Sequence, residues 1–168
     1  MFLNQLEDDS KKAFLDLALI CAKADENLDN KEAEILDIYC NEMGIAKPTK
    51  TYKADYIVDL YENDIEKYKQ ELTDIFRHFT MTELFIVYFE LFAMIYADNS
   101  FDEIEKDIIL KLKENILSGN NMPTLILSAS RVPHNTGEVL LPVLENSARA
   151  LVSQMDMLKL IKKDIWCF

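Results

Sequence analysis

Three glycines and four prolines in 168 residues leave little material for tight turns, and a sheet protein of this size needs many of them. Histidine occurs only at His78 and His134, far apart in sequence and without a nucleophile in a recognisable setting, which argues against a catalytic triad. The three cysteines, Cys21, Cys40 and Cys167, are odd in number and lack C-x-x-C spacing. They predict thiols in a reducing compartment rather than disulfides or a zinc site. Basic side chains are also scarce, 18 against 30 acidic ones, and a net charge of -12 disfavours nucleic acid, whose phosphates need clustered Lys and Arg. It favours cations or basic protein surfaces. The N-terminus lacks a basic stretch followed by a long apolar core, so no signal peptide is predicted. The longest apolar run, Leu84 to Ala97, carries Glu90 and is too short and too polar for a transmembrane segment; the expected location is cytoplasmic.

What is present is helical periodicity. A hydrophobic content of 49% suffices for one core. Charge divides the chain, since residues 1–118 hold 26 acidic and 13 basic side chains whereas 119–168 hold 4 and 5. The expected domain is therefore 1–118, with 119–168 a C-terminal extension packed on it and separable from it. In that extension Pro123, Pro133 and Pro142 predict irregular chain, extended around Val139 to Leu141. A helix then follows from Glu145 to Ile165, with Lys159, Lys162 and Lys163 near its end.

Along the first part, Asn4 to Glu7 predicts the cap of a helix running to Ala24 with Leu6, Phe14, Leu17, Ala18 and Cys21 inward. A second helix carries Ile35, Leu36, Tyr39 and Met43 inward and stops at Gly44. Between Tyr52 and Phe79 an apolar stripe through Tyr52, Tyr56, Leu60, Tyr61, Ile65, Tyr68, Leu72, Ile75, Phe76 and Phe79 predicts two helices broken near Asn63 to Glu66. Four of these tyrosines lack the basic neighbours of a base-stacking face. His78 is expected to end a helix beside Arg77. Thr80 to Glu83 is a capping box opening the most apolar helix, and Glu90 is expected at a polar edge of it.

One pattern occurs twice. Ala24-Asp25-Glu26-Asn27-Leu28-Asp29-Asn30-Lys31-Glu32 and Ala97-Asp98-Asn99-Ser100-Phe101-Asp102-Glu103-Ile104-Glu105 share A-D-x-x-apolar-D-x-x-E, and the same offset aligns Ile35 with Ile108, Tyr39 with Leu112 and Met43 with Ile116. The prediction is an all-α, compact helical bundle built on a duplicated helix-loop-helix unit, with its two turns close together on one face. Asp29 with Glu32, and Asp102 with Glu105, fit helix capping without any ligand. Asp25 and Asp98 close a helix beside the negative end of its dipole, where a tight Asx turn or a cation compensates. Both readings stay open. Oxygen donors alone would select a divalent cation such as calcium, magnesium or manganese. An EF-hand is excluded, because Asn30 or Glu103 replaces its glycine and Leu36 or Ile109 its bidentate glutamate.

This duplicated motif, with an apolar helix before each copy and an amphipathic one after, resembles the TerB-like family of tellurite-resistance proteins over about residues 10 to 118. The resemblance implies an all-helical, non-enzymatic protein of stress response with a protein partner. It also implies metal binding at Asp25, Asp29, Glu32, Asp98, Asp102 and Glu105. Family members commonly have Gly after the first Asp of each copy, where this chain has Glu26 and Asn99.

Overall fold

The computed structural model describes residues 2–23, 30–48, 52–98, 101–118 and 141–153, with the backbone alone for 30–33, 52 and 98. Every regular element among them is helical: a 3-10 turn at Leu3–Gln5, then α1 (Asp8–Lys23), α2 (Asn30–Met43), α3 (Tyr52–Asn63), α4 (Ile65–Phe76), α5 (Met81–Asp98), α6 (Glu103–Ser118) and α7 over 141–153. The all-α bundle expected from the scarcity of glycine and proline is what the chain forms.

Two helices organise the core. In α1, ten positions from Ser10 to Ala22 are buried, and the helix packs on α2, α3, α4 and α5. In α5, burial is unbroken from Leu84 to Ile95 apart from the half-buried Phe85 and Ile86. A helix apolar on nearly every side is stable only when neighbours cover it all round, and α5 meets α1, α2 and α6. The repeat shows in the packing, since Ile108, Leu112 and Ile116 lie buried on α6 where Tyr39 and Met43 lie buried on α2 and Ile35 is half-buried.

Local chemistry sets most of the boundaries. Asp64 caps α4 by accepting the Lys67 N–H at 3.2 Å. Thr80 and Glu83 cap α5 reciprocally: the Glu83 N–H donates to Thr80 Oγ1 at 3.3 Å, and Glu83 Oε2 accepts the Thr80 N–H at 2.9 Å. Gly44 ends α2 at φ 68°, where the Ile45 N–H reaches the Cys40 carbonyl at 3.0 Å and the Gly44 N–H that of Asn41 at 3.2 Å. This paired closure needs a left-handed residue, which glycine supplies at little steric cost. Arg77 and His78 turn the chain out of α4 with N–H bonds to Thr73 and Ile75 carbonyls.

Four sequence expectations are corrected. The first helix is not capped from Asn4; Leu3–Gln5 forms its own turn and α1 begins at Asp8, with Asp8 and Asp9 near its positive end. Tyr56 and Ile65, expected inside, are 40% and 43% exposed, because α3 turns Ala54, Ile57 and Leu60 inward and Ile65 starts a new helix beyond the break. Glu90 is not at an edge but fully buried. Of the piece Val139 to Leu141, expected to be extended, Leu141 is described and is helical, as are Pro142 and Val143 after it.

The α7 helix lies on the bundle with Leu141, Ala148 and Val152 buried, and Leu144 and Leu151 pack partly against the core. The irregular segment expected over 119–143 is helical at 141–143, while 119–140, the helical residues expected after 153 and Cys167 lie outside the described residues. Cys21 and Cys40 are buried and are not joined in a disulfide.

Candidate functional site

The second acidic turn joins α5 to α6. Asp98 is the last helical residue of α5, with its side chain outside the described residues. Phe101 packs toward the core with its ring 6.3 Å from that of Phe92. The Asp102 carbonyl accepts the Lys106 N–H at 3.0 Å, and its own N–H donates to Glu105 Oε2 at 2.9 Å. Glu105 is only 5% exposed. In this copy the apolar residue, the second Asp and the Glu all have structural work: one anchors the loop in the core, and the other two form the entry of α6.

Of the first copy, Asp25 and Asp29 lie outside the described residues, and Glu32 is placed only by its backbone in α2. Whether the two turns share a face lies outside the described residues as well. Among the described residues no three His, Cys, Asp or Glu side chains form a group able to hold a metal ion.

Sequence reasoning missed a set of bonds to the chain start, made by Glu42 and by Glu83 and Glu90, the last two of which it marked for other roles. Glu90 Oε1 accepts the Phe2 N–H at 3.0 Å, Glu42 Oε1 the Leu3 N–H at 3.1 Å, and Glu83 Oε1 the Glu7 N–H at 3.0 Å. Three helical carboxylates thus hold the backbone of residues 2–7, two of them at the start of the 3-10 turn, where its N–H groups have no partner within the turn. Burial pushes the Glu83 carboxyl upward, but the Glu7 and Thr80 N–H groups and the Ser10 and Thr80 hydroxyls outweigh it and hold the group below its ordinary range. Tyr39 sits beside this seat. Its hydroxyl donates to the Glu90 carbonyl at 2.7 Å, and burial first, then the charges of Glu90 and Glu42, pushes its ionisation well upward. The one sequence signal was an acid in the middle of an apolar run.

On another side of α5, Tyr88, Phe92 and Tyr96 stand at successive turns with nearly parallel rings, 6.1 and 6.2 Å between centroids. α7 lies along them. Tyr88 donates its hydroxyl to Glu145 Oε1 at 2.6 Å, and the Arg149 guanidinium covers Phe92 at 5.1 Å and Tyr96 at 5.5 Å. Lys113 of α6 comes to 3.9 Å from Glu145. Between α4 and α6, the buried Tyr68 donates to Asp107 Oδ2 at 3.0 Å.

No family model matches the chain, and neither do the curated proteins or the solved structures. Among the described residues no single helix is long and apolar enough to cross a membrane.

Proposed function

We propose that this chain is a non-enzymatic, TerB-like interaction module acting in a cytoplasmic stress or tellurite-resistance response, with acidic turns that serve the fold. The observation that supports this reading is Glu105, which is buried and bonded to the Asp102 N–H at 2.9 Å, as a capping residue needs and a solvent-facing cation ligand does not. The net charge of -12 gives the partner its chemistry: a protein surface rich in Lys and Arg.

A second reading keeps a divalent cation at the turns, through Asp25, Asp29, Glu32, Asp98, Asp102 and Glu105. It is favoured by the backbone position of Asp98 as the last residue of α5, since a negative charge at a helix C-terminus is unfavourable and a cation would compensate it. Calorimetric titration with calcium, magnesium and manganese at physiological salt separates the two. The module reading expects no saturable heat at millimolar metal. Saturable binding that disappears when Asp25 and Asp98 are both changed to Asn would overturn it in favour of the cation.

A further inference from the structure

We draw no further inference here: the strongest candidate, the surface patch formed by the exposed Phe2, whose ring lies 6.0 Å from that of Phe89, and by the half-buried Phe85 and Ile86 one turn back on α5, is an apolar face, and nothing in the structure shows what covers it.

Discussion

Glu83 offers the sharpest test of how this bundle is held, because one buried carboxylate closes two elements at once. Its Oε2 accepts the Thr80 N–H at 2.9 Å and the Thr80 hydroxyl at 3.0 Å, and its Oε1 accepts the Glu7 N–H at 3.0 Å. In Glu83→Gln the size is kept, but one oxygen becomes an NH2 group facing an N–H donor. That leaves one donor unsatisfied and turns a charge-assisted bond into a neutral one, at a cost of about 3 kcal/mol. For a chain of this length that is a fall in Tm of roughly 6 to 12 °C. Glu66→Gln is the control: its pair with Lys69 is shorter still at 2.7 Å, but the Glu66 side chain is 80% exposed, and the loss should stay within ~0.5 kcal/mol. The Glu83 carboxyl is held below its ordinary value of 4.5, so its contribution is complete above that value and is lost as the pH falls through the lower folded value. The gap between wild type and Glu83→Gln should therefore be constant at neutral pH and narrow in acid. Urea unfolding of both proteins from about pH 7 down to about pH 2.5 measures it, with the other carboxylates cancelling in the difference. A gap under ~0.5 kcal/mol at neutral pH, or one that does not narrow in acid, would refute the clasp.

Gly44→Ala should cost about 1 kcal/mol in chemical unfolding, all of it from the backbone, since φ is 68° and an added Cβ meets nothing within 4 Å. Tyr68→Phe removes the bond to Asp107 at 3.0 Å but leaves the ring packed, so a loss of roughly 1 to 2 kcal/mol is expected by the same assay; no loss would mean that bond contributes nothing net. For the double variant Asp25→Asn with Asp98→Asn, thermal melts in chelator and then in millimolar calcium or manganese should match the wild type in metal response if the turns are structural. If they bind cation, the wild type alone gains ~2.7 kcal/mol at a hundredfold excess over Kd.

The parts legible in the sequence were those fixed by neighbours in the chain. The break near Asn63 to Glu66, the Thr80–Glu83 box, Gly44 and the Asp102–Glu105 pair each satisfy N–H or carbonyl groups within a few residues, so spacing discloses them, although the cap at the break is Asp64. Tyr56 is exposed because the inner face of α3 runs through the small Ala54, which a stripe of large apolar residues does not mark. The partners of Glu42, Glu83 and Glu90 were not legible for another reason, even where the acid in the apolar run marked Glu90: they are backbone N–H groups, and any residue supplies one. Similarly, Arg149 carries no local mark of its purpose; the Phe92 and Tyr96 rings beneath it are over fifty residues away. Of the acidic motif, the capping half was readable and the fold uses it in the second copy.

The seat for residues 2–7 also dictates when that segment acquires its shape. Its three carboxylate acceptors lie 39, 76 and 88 residues downstream, on α2 and α5. During synthesis the segment leaves the ribosome well before Glu83 and Glu90 exist, and its own 3-10 turn is too short to persist alone. Contacts of such separation are closed only after the intervening chain has been ordered. Assembly therefore runs counter to the order of translation here, with α1 waiting for α5 and the segment before α1 fastened among the last.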